Sequence, residues 1–325
     1  MTRPIELGPN QIRRFYRGGS HIAAFRGLPS AGDDAPEDWV ASTTTVFGEN
    51  ELGLSRIDGL WLADVLAADP EAFFEPAHLA AYGADPAILV KLLDAGERLP
   101  LHFHPDAAFA AAHLDRKHGK TEAWFIVEAT PGAAVHVGFS SDLAEGELAE
   151  LVDAHDIPRL LDTMHRLPVA AGDTIFVPAG VPHVIGADIV LLELQEPSDL
   201  SLVLEWQGVM TKQQAFLGLA RSLVLGAVER HAVDVAHLTS RRGAHLFPRD
   251  ADRFFRARIA GGGDELEPAY SVLIVTDGEG ELRPTNAEPV CVSRGSVLLV
   301  PFASGAVALS GACRAVQCRP PLPAA

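Results

Sequence analysis

Cysteine is scarce in this chain of 325 residues, and its three copies all lie near the C-terminal end. Cys291, Cys313 and Cys318 are odd in number and form no C-x-x-C pair, which argues against a disulfide framework or a structural zinc knot. A reducing compartment is therefore expected. The N-terminal segment has no apolar signal-peptide core, and no run of about 18 apolar residues occurs. These absences predict a cytoplasmic protein that does not enter a membrane.

Basic residues are also few. Lys and Arg number 26 against 43 Asp and Glu, which gives a formal charge of -17. Such a charge opposes nonspecific binding to nucleic acids and to anionic membranes, so a small-molecule partner is expected. If that small molecule is an anion, a metal ion or a local cluster of cations has to attract it.

The hydrophobic content of 48% and the charged content of 21% are ordinary for a globular protein. A length of 325 residues predicts two domains or one large domain with an added lobe, since domains are typically about 100–150 residues long. Helical spacing, cut by Pro70, Pro76 and Pro86, predicts short helices over 61–92, and others are expected over 142–165. An apolar helical face follows at Phe216, Leu219, Ala220, Leu223 and Ala227. Strand patterns occupy 39–47, 99–139, 174–195 and 270–318, and a helix that begins with Pro105 is expected to interrupt the second of these ranges over 105–120.

A repeated segment indicates that the two β-rich blocks are related. Residues 172–183 and 295–306 share the frame G-x5-P-x-[GA]-x2, but Ala306 stands in the second copy where His183 stands in the first. We predict a mainly β fold with helical insertions and two β-barrels, of which only the first keeps its polar side chains. The predicted division is 1–205 for the first domain, 206–245 for a helical connection and 246–325 for the second domain.

Four residues of the first block could hold a metal ion. His102 and His104 are two apart on an expected strand, so both imidazoles project from one face. Glu122 interrupts an apolar strand, where a carboxylate must be paired or ligating. His183 follows the turn PAGVP. Together they form a nitrogen and oxygen set suited to a divalent first-row metal with open positions for substrate.

These strings also carry a family resemblance. G-x5-H-x-H at 96–104, Glu122 and G-x5-P-x-G-x2-H at 172–183 resemble the two cupin motifs, with a longer gap between His104 and Glu122 than short-loop cupins have. The segments LHFHPD, GKTEAWFIVEA and AGDTIFVPAGVPH resemble the type I mannose-6-phosphate isomerases in their short bacterial two-barrel form. The segment EDWVAS at 37–42 and the lobe at 270–318 extend the resemblance over nearly the whole chain. It implies two cupin jelly-roll barrels, the second degenerate, and an aldose–ketose isomerase.

The resemblance also implies roles for individual residues. His104, Glu122 and His183 match the zinc ligands of the family, and His102 stands where its members often have Gln. The implied cofactor is therefore one divalent metal ion, Zn²⁺. Lys120 and Glu193 match catalytic positions. The implied substrate-binding residues are Ser42, Trp39, Asp199 and again Lys120. The expected partner is a sugar or sugar phosphate, and no oligomeric state is predicted.

One departure from the family pattern puts the activity expected of this chain in question. Ten residues after the position of Glu193 the family carries an active-site arginine, and here that position is Val203. Losing one electrostatic group of this kind commonly costs about 10²–10³ in rate. Either another cation takes its place or the substrate differs.

Several alternatives remain open at this point. The general base of an isomerase could be Glu193, Lys120 or a metal-bound hydroxide. Three histidines and one glutamate also form the ligand set of Fe or Mn cupin dioxygenases. A barrel that binds a sugar without converting it, or an isomerase for a different or unphosphorylated sugar, would equally tolerate Val203.

Overall fold

The computed structural model describes residues 2–323 and is mainly β, with 31% strand and 22% helix, which confirms the predicted fold class. The N-terminal part contains two facing sheets, called here the first sandwich. Its six-stranded sheet runs, in spatial order, through Thr174–Val177, Glu122–Ala129, Ile189–Gln195, Leu89–Ala95, Glu37–Val40 and Gln11–Ile12. Its five-stranded sheet runs through Met164–Pro168, Ala134–Phe139, His183–Ile185, His102–Phe103 and Leu202–Val203.

The C-terminal part contains a second pair of sheets, called here the second sandwich. One sheet has five strands in the order Ile5–Glu6, Val297–Val300, Ser271–Asp277, Arg314–Arg319 and Arg256–Gly261. The other has four, in the order Glu265–Leu266, Val307–Gly311, Glu279–Pro284 and Val290–Ser293. A separate two-stranded ribbon joins Arg56–Ile57 to Leu60–Trp61.

Short helices connect the strands. They are Ser20–Arg26, Leu62–Ala68, Pro70–Phe73, Pro76–Tyr82, Ala107–Leu114, Glu145–Ala154, Ile157–Asp162, Lys212–Ala215, Arg221–Gly226 and Val235–Leu238, with 3-10 turns at Arg249–Arg253 and Phe302–Ser304. Pro70 and Pro76 each occupy the first helical position, where a missing N–H costs no hydrogen bond. The prediction that prolines divide this region into short helices is therefore confirmed up to Tyr82.

Two helix predictions were wrong in part. Residues 89–92 lie in the strand Leu89–Ala95, because a short apolar run has no period that separates a buried strand from a buried helix. The apolar face that begins at Phe216 does not belong to one helix. Leu217 adopts a left-handed φ of 51° between Lys212–Ala215 and Arg221–Gly226, so the spacing extends across a break in the chain.

The repeated segment has the same local conformation in both copies. Gly172 and Gly295 precede equivalent strands with φ of 92° and 89°, a region that favours glycine because it has no Cβ. Both strands form hydrogen-bonded ladders, and both are followed by proline. That the second sandwich is a degenerate copy of a metal-binding barrel remains a prediction.

The sheet of the second sandwich that contains Ser271–Asp277 buries side chains on both faces. Alternate residues of this strand pack in different clusters: Val272 and Ile274 join the core shared with the first sandwich, whereas Leu273 and Val275 face the four-stranded sheet. Burial on both faces explains why the strand is continuously apolar. The predicted domain boundaries stay a prediction, although Ile5 pairs with Leu299 and so links the N-terminal segment to the second sandwich.

Within residues 2–323, none of the helices is both long enough and apolar enough to span a membrane.

Candidate metal centre and active site

Three histidines meet between the sheets of the first sandwich. His102 and His183 are direct partners on neighbouring antiparallel strands, which brings their ring centroids to 4.2 Å. The ring of His104, just after the first of these strands, lies 4.9 Å from that of His183. One ring nitrogen from each histidine lies within 4.8 Å of the other two, so the group could hold one metal ion.

Backbone carbonyls orient all three rings. The Nδ1 atoms of His102, His104 and His183 lie 2.7, 2.8 and 2.9 Å from the carbonyl oxygens of Pro100, Leu200 and Val181. A carbonyl oxygen only accepts hydrogen bonds, so each Nδ1 carries the proton and each Nε2 keeps a lone pair. This second contact is what commonly fixes the tautomer of a metal-binding histidine.

Burial keeps these rings neutral. It lowers the pKa of His104 to about 3, assisted by the charge of Lys120, and it lowers the pKa of His102 and of His183 as well. A neutral imidazole is the form that binds a metal. The three histidines therefore offer their lone pairs at neutral pH.

Glu122 faces the histidines from the opposite sheet. Its Oε2 lies 3.0 Å from Nε2 of His104, and its Oε1 lies 3.4 Å from Nε2 of His183. Burial alone would raise the pKa of Glu122, but Lys120 and His104 outweigh it and hold that pKa well below its usual range. Trp124 donates from Nε1 to Oε1 at 2.9 Å and fixes the carboxylate.

A buried nitrogen of this group lacks a hydrogen bond in the described part of the chain. Nε2 of His183 is shielded from solvent and has no hydrogen-bond partner among these residues. A buried polar atom without a partner is costly unless a ligand satisfies it. A cation coordinated by the three imidazoles and the carboxylate would satisfy this nitrogen, so the residues present fit a divalent metal.

Lys120 and Glu193 extend the site. The ammonium group of Lys120 lies 3.0 Å from Oε2 of Glu122 and 3.3 Å from Oε1 of Glu193. Burial opposes a charged lysine, but the two carboxylates outweigh it and raise the pKa of Lys120. Burial raises the pKa of Glu193 to about 7, against the opposing charges of Lys120 and Lys91. Of the two, Glu193 is the group able to lose and accept a proton near neutral pH.

Beyond Glu193, basic and acidic side chains alternate along the lining of a cavity. Lys91 lies 3.9 Å from Glu193 and 3.4 Å from Glu37, and Arg14 lies 3.1 Å from both Glu37 and Asp199. No pattern in the sequence marked Arg14, Lys91 or Glu37 as functional residues. Lys91 lies inside the apolar run AILVKLL, and this position indicates a buried charge. Because a buried charge needs a partner, the run could have pointed to a polar site.

His102, Glu122 and this row of charges line one cavity of about 150 Å³. Apolar side chains complete its wall, among them Phe15, Phe47, Val203 and Met210. Val203 is the direct strand partner of His102, which places the missing arginine position next to the histidines. A larger cleft of about 630 Å³ adjoins the cavity and shares Phe47 and Asp199 with it.

Not every predicted substrate-binding residue reaches the cavity. Lys120 and Asp199 line it, whereas Trp39 and Ser42 are fully buried behind its wall. Trp39 donates from Nε1 to Glu37 at 2.7 Å, and Ser42 bonds within its own turn to Thr44. The structure therefore gives these two residues a supporting position, because neither side chain is open to a ligand.

Comparison with known proteins points in one direction. No protein-family profile matches the chain. Over 203 residues the chain is 40% identical to a mannose-6-phosphate isomerase of Streptococcus mutans, an alignment that covers 61% of this chain and 59% of that relative. A mannose-6-phosphate isomerase of Bacillus subtilis is 26% identical over 320 residues, which is 95% of this chain and 96% of the relative.

Solved structures share the fold. The mannose 6-phosphate isomerase of Bacillus subtilis superposes with a TM-score of 0.77 at 20% identity, covering 97% of this chain and 99% of that one. A mannose 6-phosphate isomerase solved with zinc and yttrium gives a TM-score of 0.74 at 14% identity, covering 99% and 100%. At these identities the likeness to the solved structures establishes the shared fold.

Proposed function

We propose that this chain, a member of the mannose-6-phosphate isomerase family, interconverts mannose 6-phosphate and fructose 6-phosphate. The observation that carries the proposal is the meeting of three neutral imidazoles and one carboxylate beside a lysine and a protonatable glutamate. Four of these residues, His102, Lys120, Glu122 and Glu193, line one small cavity. The family relationship supplies the substrate.

We propose His102, His104, Glu122 and His183 as the ligands of one Zn²⁺ ion, a ligand set within the preferences of that metal. When bound, the ion would act as a Lewis acid on the carbonyl and hydroxyl oxygens of the sugar. It would also add positive charge to a protein of charge -17, as an anionic substrate requires.

The chain's own residues account for the proton transfer. Isomerisation removes the proton from C2 of the aldose and returns one to C1 through an enediol. Glu193 is the proposed base, because its raised pKa makes a carboxylate basic enough to accept a proton near pH 7. Lys120 stays protonated between Glu122 and Glu193 and would donate a hydrogen bond to an oxygen that becomes negative. The apolar wall limits the access of water.

A test is proton NMR of the zinc-loaded protein with mannose 6-phosphate in D₂O. We expect fructose 6-phosphate to form with deuterium at C1, the reaction to stop on chelation, and Zn²⁺ to restore it. His183→Ala should lower the bound zinc and reduce turnover by at least about 10²-fold. His113→Ala is the matched control, because His113 is exposed on the helix Ala107–Leu114. A wild-type protein with one zinc ion and no turnover would contradict the proposal.

A cytoplasmic location is likewise a proposal. The three cysteines are free, with Cys291 exposed and Cys313 and Cys318 buried. We retain a cytoplasmic location on the grounds given by the sequence.

A further inference from the structure

Arg14 lies at the wall of the catalytic cavity, although nothing in its sequence context suggested a role. It follows the short strand Gln11–Ile12 and lines the same cavity as His102, Lys120 and Val203. Its side chain is 16% exposed, against 74% for the neighbouring Arg13. Among the described residues, Arg14 is the only arginine that lines this cavity.

Carboxylates hold the Arg14 guanidinium in a defined orientation. Its NH1 and NH2 groups donate to the two carboxylate oxygens of Asp199 at 3.1 and 3.2 Å, and its Nε lies 3.1 Å from Glu37. Glu37 is in turn fixed by the hydroxyl of Tyr16 at 2.6 Å and by the indole of Trp39. Paired, planar contacts of this kind are specific to arginine.

The guanidinium is not saturated by these contacts. Arginine has five N–H donors, and Asp199 takes one from each terminal nitrogen. Each terminal nitrogen therefore keeps a second N–H, whereas Nε is shielded from solvent beside Glu37. Because the side chain borders the cavity, the second N–H groups of the terminal nitrogens are available to a ligand there.

The strand beside the histidines offers no such donor. Leu202 and Val203 are buried and apolar, and Val203 sits directly opposite His102. The cavity thus has a lysine near Glu122 and a guanidinium only on the side where the N-terminal segment enters.

We propose that Arg14 is a substrate-contacting residue that donates hydrogen bonds to oxygens of the sugar carbon chain. The sugar oxygens fit better than the phosphate does, because Glu37 and Asp199 flank the guanidinium and would repel a dianion. Asp199 and Glu37 are then positioning residues that act through Arg14. The inference rests on the proposed function, since it names a further contact in the same site.

The test compares Arg14→Lys with Arg13→Lys. The first substitution keeps the charge between Glu37 and Asp199 but removes the planar pair of donors, and the second changes an exposed arginine whose ion pair is with Asp34. We expect Arg14→Lys to lower kcat/KM for mannose 6-phosphate by about 10²-fold, the range seen when one transition-state donor is lost. Arg13→Lys should match the wild type, and both variants should melt close to it.

A second measurement distinguishes a loss of the contact between Arg14 and its ligand from a general effect of the substitution on folding. Titration calorimetry with a hexitol 6-phosphate, which keeps the hydroxyls and phosphate but has no carbonyl, should show weaker binding to Arg14→Lys than to Arg13→Lys. Asp199→Asn, which keeps Arg14 but loosens its orientation, should lose turnover by a smaller factor.

Each result supports or overturns the inference. Equal turnover and equal hexitol binding by the two lysine variants, with an active wild type, would overturn the role of Arg14 and leave the proposed function intact. A zinc-loaded wild type that neither converts nor binds these sugars would overturn both.

Discussion

At the scale of single residues, the site is governed by how burial and neighbouring charges set protonation. Glu193 is fully buried, and burial raises its pKa to about 7 although two lysines lie nearby. Lys120 has the opposite outcome, because two carboxylates at 3.0 and 3.3 Å outweigh its desolvation. The same cavity therefore contains a carboxyl group that can be neutral and an ammonium group that stays charged.

The raised pKa of Glu193 predicts a specific pH dependence of stability. The folded-state pKa of about 7 exceeds the ordinary value of 4.5, so folding favours the protonated form. The stability that Glu193 contributes is present below pH 4.5 and is lost as the pH rises to about 7. Glu193→Gln mimics the protonated form and removes this dependence. Between pH 5 and 8, metal-free wild type should lose roughly 1–3 kcal/mol of unfolding free energy relative to the variant.

Urea unfolding of both proteins across this range provides the measurement. Glu196→Gln is a comparison variant at a buried carboxyl group outside the row of charges; burial also raises the pKa of Glu196, so this variant should lose a part of the pH dependence that is separate from the part due to Glu193. A constant difference between wild type and Glu193→Gln would show that Glu193 is ionised throughout.

At the scale of elements, the loop Pro105–Lys120 brings Lys120 and His104 together. Asp106 begins the helix Ala107–Leu114 by accepting a hydrogen bond from the backbone N–H of Phe109, and the N–H of Lys120 returns to the carbonyl oxygen of Pro105 at 2.9 Å. Gly119 packs against the backbone where the helix begins. A Cβ at this position would lie 2.5 Å from the carbonyl carbon of Asp106.

We therefore predict that Gly119→Ala displaces Lys120 and weakens the site. Backbone atoms cannot move aside as a flexible side chain can, so the loop has to shift by some tenths of an ångström or more. Turnover should fall by at least about tenfold, since small misplacements of a catalytic group are costly. Thermal unfolding and isomerase kinetics measure the two effects.

Gly146→Ala is the matched control for this substitution. Gly146 lies in the helix Glu145–Ala154 with no atom within 4 Å of the added Cβ, so alanine should stabilise the protein by up to about 1 kcal/mol and leave turnover unchanged. If Gly119→Ala keeps its turnover as Gly146→Ala does, then the contact between Gly119 and the start of the helix does not position Lys120.

A second element-scale feature is a repeated Glu-x-Trp pair. Glu37 and Trp39, and likewise Glu122 and Trp124, are two residues apart on strands of the six-stranded sheet, and each indole donates to its own glutamate. Residues two apart on a strand share a face, so each tryptophan fixes a carboxylate inside the cavity. Both tryptophans are fully buried, which makes them supports of the site.

At the scale of the whole molecule, the two sandwiches share one hydrophobic core. A single cluster contains Leu92 and Trp124 from the first sandwich together with Val272, Leu299 and Val316 from the second. Because this shared surface is apolar, separating the two parts would expose buried residues of both to water. The strand Ile5–Glu6 adds hydrogen bonds from the N-terminal segment to the second sandwich.

We predict one cooperative unfolding transition for the chain rather than two. In differential scanning calorimetry, the calorimetric and van't Hoff enthalpies should agree for metal-free protein. Removal of residues 1–8 should lower the melting temperature of the whole molecule without producing a second transition, since it exposes the edge strand Val297–Val300. Two resolved transitions in the wild type would instead support the predicted division near residues 205 and 246.

Much of the fold and of the centre could be predicted from local patterns. Prolines at 70 and 76 begin helices, alternation and apolar runs mark strands, and the H-x-H pair predicts two imidazoles on one side of a strand. The errors were also local. The run Leu89–Ala95 and the spacing after Phe216 lack a feature that decides between helix, strand and break, because tertiary contacts make that choice.

What the sequence by itself determined is the set of residue types proposed for the centre, because His102, His104, Glu122 and His183 lie in short segments whose spacing can be read locally. Only the tertiary structure decided which side chains face the cavity. Arg14 and Asp199 are 185 residues apart in sequence, and their pairing depends on strand register and on the entry path of the N-terminal segment. Such contacts arise from the packing of the whole chain, so no local period or propensity encodes them.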